Sequence, residues 1–98
     1  MIIVTGSVHA RSDTLDDVLR LALEHVRRSR TEFGCLLHSV HQDVEDPFHV
    51  VFLEHWTDHH ALLAHFEVPE SRTFARAMRD LAVVDPVIEI HEAEVVHF

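Results

Sequence analysis

The chain has 98 residues, a formal net charge of −9 and an apolar fraction of 47%, which together predict one small globular domain over residues 1–98. The negative charge argues against nucleic acid and anionic membrane surfaces as partners. No apolar run approaches the ~20 residues that a membrane-spanning helix needs. The first ten residues lack the basic start and apolar core of a signal peptide, so we expect a cytoplasmic protein.

Missing residue types narrow the chemistry that the chain can carry. It contains no lysine, tyrosine or asparagine, and its only cysteine is Cys35. Schiff-base chemistry, an internal disulfide and a cysteine-rich zinc site are therefore excluded. The ionisable side chains left for catalysis are those of His, Asp, Glu, Arg and Cys35, and histidine is abundant, with 11 copies.

The first 30 residues predict a strand followed by an amphipathic helix. Residues 2–11 alternate between a small apolar face and a mostly polar face, which is typical of a strand covered on one side. Ser12 or Asp13 is placed to cap the helix. The apolar residues that follow recur at helical spacing and predict its buried stripe: Leu15, Val18, Leu19, Ala22, Leu23 and Val26.

The next segment predicts an antiparallel hairpin. Its strands cover residues 35–42 and 48–56, with turn residues between them. In the expected register Cys35 lies on the same face as His55. The other face then carries a larger set, which includes the candidate site residues of this hairpin: Leu36, His38, Val40, Val50, Phe52, Glu54 and Trp56.

Two helices and a strand complete the chain. Thr57 or Asp58 can cap a helix over residues 58–66, and Pro69 suits the first position of the next helix. A last strand is expected over residues 87–98, with a bulge near Glu92. The order β-α-β-β-α-α-β predicts an α+β, ferredoxin-like βαββαβ fold with an antiparallel sheet and a second helix split in two.

The hairpin is apolar on both faces, but the helices of this fold cover only one face of the sheet. A chain of this length buries only about 60–65% of its unfolded surface, so it gains from association. We therefore expect a homodimer in which the sheets of two copies face each other.

The histidines do not form a recognisable metal motif. His38 and His41 would point in opposite directions on a strand, and no H-E-x-x-H is present. We expect most histidines to lie in solvent and predict no purpose-built metal site. Cys35 has two interpretations: a structural thiol, which is favoured, or a nucleophile with His55 as its base.

Glu54, Trp56 and His65 form the strongest candidate set. Glu54 interrupts an apolar strand face, where a carboxylate either pairs with a cation or lines a cavity with a raised pKa. His65 lies on the inward helix face with Ala61 and Leu62, either as a satisfied core residue or as a catalyst. Together with Trp56 these residues predict a pocket between sheet and helices.

These segments resemble the antibiotic biosynthesis monooxygenase (ABM) domain family. The family pattern has a Gly-Cys-Leu start to the second strand, a Glu-x-Trp strand end, a helix that finishes Ala-x-His, and an aromatic residue after a short break. The corresponding segments are Gly34-Cys35-Leu36, Glu54-His55-Trp56 and Phe74, with Ala64-His65 in place of Ala-x-His. The resemblance implies a dimeric ferredoxin-like α+β barrel with one pocket in each subunit.

The departures from the family concern cofactors. Pro69-Glu70-Ser71 stands where many members have a second histidine, and His38 stands where an aromatic, commonly tyrosine, is frequent. The similar haem-degrading branch uses a histidine at about the position of Met78. Because that residue is methionine and the chain has only two glycines for a phosphate-binding loop, we expect no haem, no flavin and no other cofactor.

The resemblance implies a cofactor-independent monooxygenase that oxidises a phenolic or hydroquinone-like polycyclic aromatic substrate to a quinone with O2. It implies that His65 is the base or a hydrogen-bond partner, and that Glu54 is its orienter or a second acid/base. The remaining candidates would bind the small aromatic substrate: Trp56, Phe52, His38 and Phe74 as walls, and Arg72 or Arg76 as stabilisers of an enolate. The alternatives are a dimeric ligand-binding or stress-associated protein without turnover, and an isomerase.

Overall fold

Four strands and three helices make up the computed structural model, which describes all 98 residues. The elements are β1 (Ile2–His9), α1 (Leu15–Ser29), β2 (Cys35–Gln42), β3 (His49–Trp56), α2 (His59–Glu67), α3 (Pro69–Leu81) and β4 (Val87–Glu92). The ferredoxin-like α+β fold expected from the sequence is confirmed, including the split of its second helical region into α2 and α3. None of the three helices has the length and apolar character needed to cross a membrane.

The sheet is antiparallel throughout, with strand order β2-β3-β1-β4. Every second residue of β3 from Val50 to Trp56 is buried beneath the helices, and Ile2, Val4 and Val8 are buried on the same face of β1. This inner face carries two apolar clusters. One lies under α1 and α3 and includes Phe52, whereas the other lies under α2 and includes Trp56. Glu54 is therefore placed between the two clusters on the same strand face.

Helix α1 begins later than the sequence predicts and is rotated about its axis. Its N-cap is Thr14, so the expected caps at Ser12 and Asp13 are wrong. The Thr14 hydroxyl accepts a hydrogen bond from the Arg11 N–H (2.9 Å) and donates one to the carbonyl of Leu81 at the end of α3 (2.7 Å). The buried face of the helix consists of Val18, Ala22, His25, Val26 and Ser29, whereas Leu23 is 39% exposed.

The hairpin has the expected register over most of its length, and His38 lies opposite Glu54. An irregularity between Cys35 and Leu37 changes the register at its beginning, so that Cys35 lies opposite Trp56. Leu36 is consequently 59% exposed rather than on the inner face. The proposed pairing of Cys35 with His55 is wrong, because His55 lies opposite Leu37.

The second helical region follows the predicted signals. Asp58 caps α2 by accepting a hydrogen bond from the Ala61 N–H (2.9 Å), and Pro69 occupies the first turn of α3. The last strand is shorter than predicted. It ends at Glu92, and residues 93–98 have no regular secondary structure.

Candidate functional site

A cavity of about 480 Å³ lies between the inner face of the sheet and the helices. This volume is within the range of about 300–1,000 Å³ that is usual for small-molecule sites. Five of the eight predicted site residues line the cavity: His65, Glu54, Phe52, Phe74 and Arg72. The pocket predicted between sheet and helices is thus present.

The other three predicted residues do not line this cavity. Trp56 and His38 are almost completely buried, at 0% and 2% exposure, and lie behind Glu54 rather than at the cavity wall. Arg76 is exposed on α3, where its guanidinium donates to the Thr73 hydroxyl. Arg79, one helical turn further along α3, lines the cavity instead.

Glu54 is held as a carboxylate by the groups behind it. The Trp56 indole N–H donates to Glu54 Oε1 (2.9 Å). His38 Nε2 lies 3.4 Å from the same oxygen, where the two groups interact electrostatically although the ring is not aligned for a hydrogen bond. Burial acts to raise the pKa of Glu54, but His38, Trp56 and His65 together outweigh burial and hold the pKa below its ordinary value. Glu54 therefore lines the cavity, as one of the two possibilities left open by the sequence has it, but donor groups lower its pKa rather than leaving it raised.

His65 is oriented by a residue that the sequence analysis did not single out. Its Nδ1 lies 2.8 Å from Oε1 of Glu32, in the connection between α1 and β2. Because a carboxylate only accepts, Nδ1 carries a proton, and in the neutral tautomer that this bond selects the lone pair is on Nε2. Nε2 lies 4.0 Å from Glu54 Oε1. The orienting partner is therefore Glu32, and Glu54 stands at the free nitrogen of the ring.

His25 is a second cavity residue that the sequence analysis missed. It is 5% exposed and stacks on Phe74, with ring centroids 4.0 Å apart and nearly parallel planes. The guanidinium of Arg28 donates to His25 Nδ1 at 2.7 Å. Burial, followed by the neighbouring His38, His65 and Arg28, lowers the pKa of His25 to about 2, so the ring is neutral at physiological pH.

Three imidazoles meet at the inner end of this site. His25, His38 and His65 each contribute a nitrogen to a group whose atoms all lie within 4.8 Å of one another. Neither ring nitrogen of His38 has a hydrogen-bond partner. The expectation that most histidines lie in solvent holds for residues such as His41 and His60, whereas His25 and His38 are buried and His65 faces inward as predicted.

Cys35 lies at the edge of the smaller apolar cluster. Burial, and then the negative charges of Glu54 and Glu32, raise the pKa of its thiol. The protonated form is therefore favoured, which supports the structural interpretation over the nucleophilic one.

The cavity brings together an imidazole, two arginines and aromatic side chains. His65 lines the cavity with its Nδ1 bonded to Glu32, Arg72 and Arg79 line the same cavity, and Phe52 and Phe74 supply aromatic walls. Such a cavity can bind a flat aromatic molecule, remove a proton from it and stabilise the anion that results.

The fold and the cavity define a ferredoxin-like α+β protein with a ligand-sized site between sheet and helices. Within that class, the chain belongs to the antibiotic biosynthesis monooxygenase family, whose model matches residues 1–77.

Solved structures named after this family, and one uncharacterized curated relative, are similar to the chain. A proposed antibiotic biosynthesis monooxygenase of Deinococcus radiodurans is 29% identical, with a TM-score of 0.93 over 100% of this chain and 98% of that one. Another antibiotic biosynthesis monooxygenase is 27% identical, with a TM-score of 0.88 over 97% of this chain and 100% of that one. The uncharacterized protein sll1783 of Synechocystis is 28% identical over 93% of this chain, which spans 62% of the length of that relative.

Proposed function

We propose that the protein is a cofactor-independent monooxygenase that oxidises a phenolic or hydroquinone-like polycyclic aromatic substrate to a quinone with O2. Membership in the ABM family supports a monooxygenase-type function in general. The observation that carries the finer proposal is the Glu32–His65 pair, in which the hydrogen bond at Nδ1 fixes the orientation of the imidazole at the wall of the cavity.

In the proposed reaction the substrate itself is the reductant. His65 Nε2 removes a proton from the phenol or from the CH2 group of its keto tautomer, and the carbanion that results adds to O2 at carbon. The O–O bond of the resulting hydroperoxide then breaks with loss of water, which leaves a carbonyl. One CH2 group and one O2 thus give one C=O group and one H2O.

The protein would contribute three effects to this reaction. His65 acts as a general base of fixed orientation, which is usually worth about 10²–10⁴-fold in rate. Arg72 and Arg79 stabilise the enolate oxygen by their charge. Phe52, Phe74 and the stacked His25 ring exclude water from the reacting carbon.

The test is turnover of a panel of phenols with an unsubstituted para carbon and of anthrone-like compounds by chelator-treated protein, with and without O2. We expect quinone formation and O2 consumption in equal amounts in air, and no quinone under nitrogen. An unchanged rate relative to enzyme-free buffer, with the compounds still bound, would instead identify a ligand-binding protein. Formation of an isomeric product without O2 uptake would identify an isomerase.

A further inference from the structure

We infer that His25, His38 and His65 bind one divalent transition-metal ion of the zinc type. This inference goes beyond the proposed function, which needs no metal. It starts from an arrangement that chain order alone does not suggest, since the three imidazoles come from α1, β2 and α2 and are all buried. Neutral imidazole is the commonest protein ligand for Zn²⁺ and for Co²⁺, Ni²⁺ and Fe²⁺ as well.

The nitrogens are nearly close enough to share an ion. They lie within 4.8 Å of one another, and the ring centroids are separated by 5.2 Å, 5.3 Å and 5.6 Å. With metal–nitrogen bonds of about 2.0–2.1 Å, the ligands of a tetrahedral ion stand about 3.4 Å apart. The nitrogens therefore need to approach by up to about 1.4 Å, which side-chain rotations can provide.

His38 gives an independent reason to expect a ligand. Its side chain has no solvent exposure, yet neither Nδ1 nor Nε2 has a hydrogen-bond partner. A buried polar group without a partner costs free energy, so such groups in native proteins call for an explanation. A bound ion would satisfy one of these nitrogens.

The surrounding carboxylates suit a cation. Glu32 accepts from Nδ1 of His65 at 2.8 Å, which is the outer-shell arrangement that fixes the tautomer and raises the basicity of a metal-bound histidine. Glu54 stands 3.4 Å from His38 and 4.0 Å from His65. The two carboxylates together balance the charge of a divalent ion, and Glu54 lies beside two of the three imidazoles.

The contact between Arg28 and His25 opposes metal binding. Arg28 donates to Nδ1 of His25 at 2.7 Å, which leaves the proton of that neutral ring on Nε2. To bind an ion through Nε2, His25 has to carry its proton on Nδ1, and Arg28 has to turn away. Arg28 lines an outer groove together with Glu24 and Glu70, so its charge has acceptors there. Removing the Arg28 guanidinium should therefore strengthen metal binding.

The ion and the proposed reaction compete for the same lone pair on His65 Nε2. We therefore expect the metal-loaded protein to be inactive as a monooxygenase and the metal-free protein to be the active form. Metal binding is measured directly, so its outcome does not depend on whether the proposed reaction occurs.

The experiment uses tag-free protein, because a polyhistidine tag would itself bind the probe ions. After chelator treatment and dialysis, Zn²⁺ is titrated by calorimetry and Co²⁺ by visible absorption. We expect one ion per chain, with a cobalt spectrum that indicates nitrogen ligation. His38→Gln and His65→Gln should each weaken binding by at least about 100-fold, and Glu32→Gln by about 10–100-fold. Arg28→Met should tighten it.

The matched control is His41→Gln, which removes an exposed imidazole from the same strand as His38. Its affinity and stoichiometry should equal those of the unsubstituted chain. Circular dichroism of each metal-free variant shows whether it is folded, and His65→Gln answers the question if His38→Gln does not fold. Equal affinities for the unsubstituted, His38→Gln and His65→Gln chains would overturn the inference, as would loss of the site in His41→Gln or weaker binding by Arg28→Met.

Discussion

The tautomer of His65 is set by its neighbours rather than by the ring itself. The hydrogen bond to Glu32 places the proton on Nδ1, so the base role requires both residues although only His65 faces the cavity. A buried histidine with a structural role would use the same hydrogen bond to stabilise the fold. If His65 is the base, removal of the ring lowers turnover. If His65 has a structural role, removal of the ring lowers the free energy of unfolding.

We predict that His65→Ala lowers turnover by about 10²–10⁴-fold, which is the usual contribution of a general base. The free energy of unfolding should fall only modestly, because a ring at a cavity wall makes fewer packing contacts than a core side chain. Turnover and urea denaturation are measured on one preparation, with His60→Ala on the exposed side of the same helix as the control. A loss of about 1–3 kcal/mol in stability with turnover per folded molecule intact would assign His65 a structural role.

His25 predicts how stability depends on pH. Its pKa is lowered from 6.5 to about 2 in the folded protein, so between these values the unfolded chain binds a proton that the folded chain does not. The free energy of unfolding of metal-free protein should therefore decrease as the pH falls below about 6.5. Burial of the ring is the main cause of this shift, and the neighbouring groups that face His25 from three elements add to it: His38 on β2, His65 on α2 and Arg28 on α1.

The matched test replaces His25 by Phe, which keeps an aromatic ring against Phe74 but cannot take up a proton. Urea denaturation at a series of pH values between 6.5 and 5 should give a smaller acid-induced loss of stability for His25→Phe than for the unsubstituted chain. His60→Gln, which removes an exposed imidazole, should leave the slope unchanged. A slope that is the same in all three proteins would contradict the assignment.

Site residues that interrupt an apolar pattern could be predicted from the sequence. Site residues that fit the ordinary helix or loop pattern were not predicted. Glu54 stands out because it interrupts an apolar strand face, and His65 because it faces inward. His25 was detectable in principle, since it lies seven residues after Val18 and three after Ala22 on the buried face. Glu32 was not, because its contact with His65 spans 33 residues and depends on the tertiary fold.

At the scale of elements, the path from α1 into β2 places Glu32 and the start of the hairpin. Gly34 makes this turn with a φ of +83°, a left-handed conformation that side chains with a Cβ rarely adopt. A Cβ there would also come within 2.4 Å of the Ala61 Cβ and 2.8 Å of the Thr57 hydroxyl. The turn is thus restricted both by its backbone and by the packing of α2 against it.

We predict that Gly34→Ala destabilises the protein by about 1–3 kcal/mol through backbone strain, with the clash against Ala61 adding to that cost. Gly6→Ala is the control, because its Cβ would meet Phe52 at 3.4 Å, an ordinary contact, and its backbone is not left-handed. Urea denaturation followed by circular dichroism compares the two variants. Equal stabilities for Gly34→Ala and Gly6→Ala would show that the turn tolerates a side chain.

The periodicity of apolar residues predicted all seven helices and strands, but it did not predict correctly which residues of each element are buried. The stripe predicted for α1 included Leu23, which is exposed, because apolar spacing alone cannot tell a half-covered flank from the centre of a buried face. The irregularity after Cys35 moved that residue to the inner face, and alternation by itself carries no signal for such a shift. The fold is therefore more predictable from this sequence than the exact set of side chains at its site.

At the scale of the whole molecule, the sheet is covered on one side only. The face opposite the helices, here called the outer face, exposes apolar side chains of three strands, including Ile3 on β1, Leu37 on β2 and Leu53 on β3. Ile88 and Ile90 on β4 are also more than half exposed, because no helix covers that strand. A sheet with apolar groups on both faces is stable in water when a second layer covers it. The layer that we propose is the outer face of a second copy of this chain.

We therefore predict a homodimer, which sedimentation at micromolar concentration should report as about twice 11.3 kDa. Leu53→Glu places a charge in the middle of the outer face and should shift the equilibrium to monomer, because burying an unpaired carboxylate in the interface is costly. Leu63→Glu adds the same charge at an exposed position of α2, away from the sheet, and should remain dimeric. Circular dichroism of both variants separates dissociation from unfolding. A folded monomer of the unsubstituted chain at this concentration would contradict the proposal that the outer faces of two copies pack against each other. The apolar residues of the outer face would then not be covered by a second copy of the chain.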